Sequence, residues 1–74
     1  MRTDKYIEGF GERVLEAAEK TGLTRREIER RAGFTGKSQI YKYVSMHQMP
    51  SAYKLAKLAK VLNVSTDWLL GLRG

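Results

Sequence analysis

The sequence contains no cysteine, and it has only one proline and one histidine among 74 residues. Without cysteine the chain has neither a disulfide framework nor a thiolate metal site, which is compatible with a reducing compartment. The one histidine, His47, has no second imidazole with which to hold a metal ion. We therefore expect no metal site and no cofactor, and no residue pattern indicates a small-molecule ligand.

Long apolar runs are also missing. The apolar stretches are only a few residues long, and Met1 leads directly into charged residues. A transmembrane helix needs about 20 apolar residues in succession, and a signal peptide needs an apolar segment after its basic start. We expect a cytoplasmic protein without a membrane partner, in which residues 1–74 form one small domain.

Residues that carry catalysis are few and scattered. His47 stands in a predicted loop, and the serines all have positions that capping or turns explain. Glu12 and Glu16 form a carboxylate pair on one helical face, but an exposed acidic ladder accounts for them. Gly33 and Gly36 lack the spacing of a phosphate-binding glycine loop. We therefore expect no enzymatic activity.

Positive charge is abundant and unevenly distributed. The formal net charge is +6, with −2 over residues 1–19, +5 over residues 20–42 and +3 over residues 43–74. An acidic start and a basic middle suit a polyanionic partner that is met from one side, and equally suit a solvated surface. Charge alone leaves both interpretations open.

The spacing of apolar residues predicts an all-α fold. Apolar side chains recur at intervals of three and four rather than two, so no strand is expected. The first helix starts between Lys5 and Gly11, because glycines weaken its beginning, and it ends at Gly22. Thr24 is the N-cap of the second helix and forms a capping box with Glu27.

Caps and stops also define the later helices. The second helix stops at Gly33, and the third spans about residues 37–45. Ser51 caps the fourth helix, and Ser65 caps a short fifth helix that Gly71 closes. The inward side chains expected for the third helix are Ile40, Tyr43 and Val44.

Residues 23–45 contain two short helical patterns separated by a glycine-bearing turn, and the second begins with polar residues. This layout presents a helix to the major groove of DNA. Arg25 and Arg26 open the second helix and Lys37 opens the third, where cations oppose the helix dipole. A phosphate that docks at these helix starts makes the cations favourable there, which favours DNA as the partner. The alternative is that arginine and lysine occupy these positions only because they are good helix formers.

Three blocks of the sequence resemble the helix-turn-helix domain of the lambda repressor and Cro type, also called the XRE family. They are residues 10–14, 22–33 and 50–70, which match the first helix, the second helix, and the fourth and fifth helices of that family in order. The resemblance implies a compact five-helix bundle that binds operator DNA, usually as a dimer, and a bacterial or phage origin.

The resemblance also implies roles for individual residues. Arg25 matches a phosphate-contacting position, the start of the third helix matches the segment that reads base edges, and the loop from Ser45 to Ser51 matches a backbone-gripping segment. Tyr41 lies on the flank of the third helix, where a DNA contact and half-buried packing explain it equally well. The predicted base contacts are Lys37, Ser38, Gln39, Tyr41 and Lys42. The predicted phosphate contacts are Thr24, Arg25, Arg26, Ser45, His47, Gln48 and Ser51.

Two features depart from the family pattern. The turn before Ile40 has one residue more than usual, so Gly36, or Thr35 with a lengthened helix, is expected to cap the third helix. Glu29 replaces a small residue that packs under the recognition helix, and a buried carboxylate needs a partner. We expect the longer turn to let Glu29 reach water or Arg30.

The sequence therefore predicts a sequence-specific regulator of transcription that binds double-stranded DNA. It is expected to be a phage or prophage repressor, a Cro-like protein, or the N-terminal DNA-binding domain of a longer repressor. The alternative is a small helical protein-interaction module, such as an antirepressor, that binds an acidic protein. Leucines in excess of what the short fifth helix needs predict a homodimer contact. These are Leu69, Leu70 and Leu72.

Overall fold

The computed structural model describes residues 6–36 and 38–72. Lys5, the earliest predicted start of the first helix, and Lys37, a predicted base contact, lie outside the described residues. Within those ranges the chain forms five helices and no strand, which confirms the predicted all-α fold. None of these helices is long and apolar enough to cross a membrane. The helices are α1 (Phe10–Thr21), α2 (Arg25–Arg31), α3 (Gln39–Ser45), α4 (Ala52–Leu62) and α5 (Thr66–Leu69).

Local sequence signals determine most of the helix ends. The hydroxyl oxygen of Thr24 accepts a hydrogen bond from the Glu27 N–H, and the Glu27 carboxylate accepts one from the Thr24 N–H, each at 3.1 Å. The predicted capping box of α2 is thus confirmed. Ser51 and Ser65 cap α4 and α5 with their hydroxyls, as predicted. Gly22 ends α1 in the left-handed conformation, with φ 74°.

The core lies where α1 packs on α3, α4 and α5, and where α2 packs on α3 and α4. Ile40 and Tyr43 point into this core, as predicted, so that one side of α3 is held against the rest of the molecule. The opposite side of α3 is left facing outward. The largest fully buried side chains are Phe10, Val14, Ile28, Ile40, Leu58 and Leu69.

Close contact between α1 and α3 is centred on Gly11. A Cβ atom at Gly11 would lie 2.9 Å from the Val44 Cα and 3.1 Å from the Tyr43 carbonyl oxygen. The Gly11 N–H donates a hydrogen bond of 2.8 Å to the Tyr6 hydroxyl oxygen, and that hydroxyl donates one of 3.1 Å to the Tyr43 carbonyl. Glycine therefore allows the backbones to approach, and Tyr6 fastens the carboxyl-terminal half of α3 to α1.

Arg13 joins the beginning of α1 to the end of α5. Its Nε donates a hydrogen bond to the Leu69 carbonyl oxygen at 2.8 Å, and its Nη2 donates one to the Glu8 carbonyl oxygen at 3.2 Å. Since α5 has only four residues, the hydrogen bond from Arg13 to the Leu69 carbonyl adds to the buried Leu69 side chain in attaching α5 to the bundle.

Candidate nucleic-acid interface

The outward face of α3 carries polar side chains and one tyrosine. Ser38 lies three and four residues before Tyr41 and Lys42, and Ser45 lies four and three residues after them, which places the four on one side of a helix. Ser38, Tyr41 and Ser45 are exposed, and Lys42 is half-buried. An α-helix fits the major groove, where a lysine ammonium can donate to guanine and a hydroxyl can pair with any base. This surface, residues 38, 41, 42 and 45, is called the reading face below.

Gln39 lies beside the reading face and not on it. Its Oε1 accepts a hydrogen bond from the Tyr43 hydroxyl at 3.3 Å, and its amide nitrogen lies close over Gly36. Burial raises the pKa of the Tyr43 hydroxyl, and the negative charge of Glu29 raises it further, so the hydroxyl remains a donor at neutral pH. For Gln39 to make the predicted base contact, its amide therefore has to give up the hydrogen bond from the Tyr43 hydroxyl or keep that bond while also bonding to the base.

The start of α3 differs from the prediction. The N-cap is Ser38, in the left-handed conformation with φ 60° and without a side-chain capping bond, so the expected cap at Gly36 or Thr35 is wrong. A carboxylate oxygen of Glu29 instead accepts a hydrogen bond from the Ile40 N–H at 2.9 Å. The expectation that Glu29 turns to water or Arg30 is corrected accordingly, because the unpaired N–H groups at the start of α3 supply a closer partner.

Arginine side chains dominate the exposed surface beside the reading face. Arg25 and Arg26, both predicted phosphate contacts, are exposed at the start of α2. Together with Arg30 they line an open cleft whose other wall includes Ser38 and Tyr41. Phosphate contacts by arginine position a protein on DNA without reading sequence. The structure thus places a basic surface directly beside the reading face.

Thr24, another predicted phosphate contact, is exposed, but its hydroxyl oxygen already accepts the capping bond from Glu27. The Thr24 hydroxyl also donates its hydrogen to the Glu27 carboxylate at 3.4 Å, so a contact with a phosphate oxygen has to replace this donation. The Ser51 Oγ accepts a hydrogen bond from the Lys54 N–H at 3.3 Å, and a serine hydroxyl that accepts such a bond still has its hydrogen to donate to a phosphate.

The last residue of α3 and the loop that follows it expose the other predicted phosphate contacts, Ser45, His47 and Gln48. The Gln48 N–H donates a hydrogen bond of 3.1 Å to the Lys42 carbonyl oxygen, which folds the loop back on the end of α3. The imidazole of His47 stacks on the Tyr6 ring with centroids 4.6 Å apart. These side chains therefore lie at the opposite end of α3 from the arginines of α2.

Four residues that lie at this surface or fasten the helices behind it have roles that the sequence analysis does not assign. In the sequence, Glu29 stands out only as a departure from the family pattern, and Arg30 only as a partner expected for it. Tyr6 and Arg13 make hydrogen bonds to partners that lie 37 and 56 positions further along the chain, respectively. Local sequence patterns do not predict partners at such distances. The charge excess of residues 20–42 was the one signal that pointed to Arg30.

The three predicted dimer leucines have different surroundings. Leu69 has no exposed surface and belongs to the core, so its assignment to a contact with a second chain is corrected. Leu70 is half-buried, and Leu72 is 74% exposed. Within the described residues, no three His, Cys, Asp or Glu side chains come together in an arrangement that could hold a metal ion.

Comparison with known proteins agrees with this geometry. The family model described as "Helix-turn-helix" matches residues 14–69. The HTH-type transcriptional regulator ImmR of Bacillus subtilis (strain 168) is 36% identical over 62 residues, which cover 84% of this chain and 48% of that protein. The chain thus spans about half the length of the curated relative that it matches. No solved structure matches the chain significantly.

Proposed function

The chain belongs to the helix-turn-helix family of XRE-type DNA-binding transcriptional regulators, and on that premise we propose that it binds double-stranded DNA sequence-specifically with α3 in the major groove. The observation that carries the proposal is the reading face itself. It combines exposed hydroxyls and a lysine on a helix whose other side is buried through Ile40 and Tyr43. Such a helix presents donors and acceptors without losing its attachment.

Base contacts are proposed for Ser38, Tyr41 and Lys42 on the reading face, and for Lys37 and Gln39 beside it in the sequence. Lys42 is the side chain suited to the O6 and N7 acceptors of guanine, and the Tyr41 ring is suited to a thymine methyl group. Gln39 suits adenine once its amide leaves Tyr43. Each good bidentate contact contributes about 1–3 kcal/mol of discrimination.

Phosphate contacts are proposed at the two ends of α3. Arg25 and Arg26 on α2 are exposed beside the first end, and Ser45, His47 and Gln48 are exposed at the second. Since the two backbones of a duplex flank its major groove, a helix inserted there meets phosphates at both of its ends. Thr24 and Ser51 complete the proposed set.

We also propose that the chain acts on transcription as a phage- or prophage-type repressor or a Cro-like protein, or as the DNA-binding part of a longer repressor. The support is the resemblance to the lambda repressor and Cro type. A binding role without catalysis is part of this proposal.

Homodimerisation is proposed through Leu72 and the exposed part of Leu70, since Leu72 is the most exposed large apolar side chain described. A dimer with two-fold symmetry reads two half-sites. Light scattering at high concentration, with and without duplex, is expected to give a dimeric mass. A monomeric mass in both conditions would remove this part of the proposal.

Selection of bound duplexes from a random-sequence library tests the central proposal. The expected result is one enriched motif, bound saturably and more weakly as salt rises, because phosphate contacts release counterions. The alternative, a module that binds an acidic protein, predicts no enriched motif and no saturable binding of duplex at either of two salt concentrations.

A further inference from the structure

We propose that Glu29 is a positioning residue for sequence reading: its carboxylate, carried by α2, caps α3 and sets the orientation in which the reading face meets DNA. The inference rests on the proposed function, since it concerns how discrimination between DNA sequences is achieved. Its basis is the hydrogen bond of 2.9 Å that the Ile40 N–H donates to Glu29 Oε2.

The capping of α3 differs from that of its neighbours. Thr24, Ser51 and Ser65 each cap their own helix with a hydroxyl that accepts from an N–H three residues on. Ser38, the N-cap of α3, has φ 60° and makes no such bond. The first N–H groups of a helix have no partner within it. Glu29 supplies an acceptor to α3 from a different helix.

This bond has a mechanical consequence. A cap from the same segment stabilises a helix but leaves its direction free, whereas a cap from α2 ties the start of α3 to the neighbouring helix. The tie spans the lengthened turn, residues 33–38, which contains two glycines. At its other end α3 is tied to Tyr6 through the Tyr43 carbonyl. The orientation of the reading face therefore depends on the Glu29 and Tyr6 side chains as well as on the turn and on the buried Ile40 and Tyr43.

The expected effect is on discrimination and not on general affinity. Ser38 precedes α3 directly and Lys42 follows one turn later, so fraying of the first turn displaces both from the positions that base edges require. The exposed arginines on α2 do not depend on that turn, and their contacts to phosphate carry no sequence information. Loss of the Glu29 cap should therefore lower binding to a preferred duplex far more than binding to a scrambled one.

Charge has to be separated from capping in the test, because Glu29 stands among Arg25, Arg26 and Arg30 in the cleft. Removing its carboxylate raises the net charge by one and strengthens binding to any duplex. Glu29→Gln removes the charge but keeps an acceptor oxygen at the same reach. Glu29→Ala removes both, and Glu29→Asp keeps the charge while drawing the acceptor back by one methylene.

The experiment measures each variant on two duplexes, the motif that the wild-type chain selects from a random library and a scrambled duplex of the same composition. The ratio of the two affinities is expected to stay within about threefold of wild type for Glu29→Gln and to fall about tenfold for Glu29→Ala and Glu29→Asp, as for a lost cap. An unchanged ratio in the folded Ala or Asp variant would overturn the proposal, as would a tenfold fall in folded Glu29→Gln. A wild-type chain that prefers no duplex would overturn the proposed function instead.

Hydrogen exchange of the Ile40 amide gives a second readout that does not need DNA. Protection is expected in the wild type and in Glu29→Gln, and faster exchange at Ile40 than at other α3 amides in Glu29→Ala and Glu29→Asp. If the Ala and Asp variants do not fold, Glu29→Gln decides: a protected Ile40 amide with a retained ratio supports the cap. An Ile40 amide that exchanges freely in Glu29→Gln, with the ratio retained, contradicts it.

Discussion

The Tyr6 hydroxyl donates a hydrogen bond of 3.1 Å to the Tyr43 carbonyl oxygen and so joins the segment before α1 to the helix that carries the reading face. The same hydroxyl accepts a hydrogen bond from the Gly11 N–H. Tyr6 lies outside residues 14–69, the part that the family model matches. The attachment of α3 thus depends on a residue that the match does not cover.

Replacing this tyrosine by phenylalanine tests that attachment. Tyr6→Phe is expected to lower the free energy of unfolding by roughly 1–2 kcal/mol, because two part-buried hydrogen bonds are lost while the ring remains. Chemical denaturation measures the change. Tyr53→Phe is the matched control, since Tyr53 is 71% exposed and its hydroxyl faces water. Equal losses in the two variants would contradict a specific role for the Tyr6 hydroxyl.

The close contact of α1 with α3 predicts the effect of a single methyl group. Gly11→Ala is expected to destabilise the protein by about 1–3 kcal/mol, because the new Cβ meets backbone atoms of Val44 and Tyr43 that cannot move independently. Gly36→Ala is the comparison, since its Cβ would meet only the movable side chain of Gln39. Thermal denaturation that ranks Gly36→Ala as the more damaging change would count against the described packing.

The capping box of α2 predicts a dependence on pH. The hydrogen bond from the Thr24 backbone N–H is the main cause that lowers the pKa of Glu27 below its ordinary value of 4.5. A carboxyl whose pKa is lower in the folded state stabilises the protein above its unfolded pKa, and this contribution is lost as pH falls through the folded pKa.

The difference in melting temperature between wild type and Glu27→Gln is therefore expected to shrink between pH 7 and about pH 3. Glu19→Gln, which removes a charge from the exposed side of α1, controls for net charge. A difference for Glu27→Gln that stays constant with pH would show that the ionised carboxylate does not stabilise α2.

Arg25 is expected to contribute to DNA binding through a phosphate contact alone, without reading the base sequence. Arg25→Ala should weaken binding to selected and scrambled duplexes alike, and should reduce the slope of log affinity against log salt by about 1. Arg31→Ala removes the same charge from the other end of α2, outside the cleft that Arg25 lines, and is expected to change the slope less. Identical slopes for the two variants would indicate a general charge effect without a contact at Arg25.

The predictability of each feature depended on how far apart its parts lie in the chain. The capping box at Thr24 and the stop at Gly22 were predicted because all the atoms involved lie within a few residues. The partner of Glu29 lies 11 residues away across a turn of unusual length. Sequence reasoning recognised that this carboxylate needs a partner, but it could not identify the Ile40 N–H.

The short fifth helix shows another limit. Leu69, Leu70 and Leu72 are equally apolar, and a helix of four residues has too little periodicity to separate buried from exposed positions. Only the packing of α5 against α1 and α4 identifies Leu69 as core and Leu72 as exposed. Gln39 presents the same difficulty, since its bond to Tyr43 depends on the direction of a side chain.

The most direct test of the central claim is the ratio of affinities for the selected duplex and its scrambled counterpart at one physiological salt concentration. A helix-turn-helix protein that reads sequence through α3 is expected to give a ratio of at least about 10³, and Lys42→Ala should lower it by about tenfold. Lys60→Ala, which removes the same charge from the exposed side of α4, should leave it within about twofold. A wild-type ratio near one, or equal losses in the two lysine variants, would contradict sequence reading by α3.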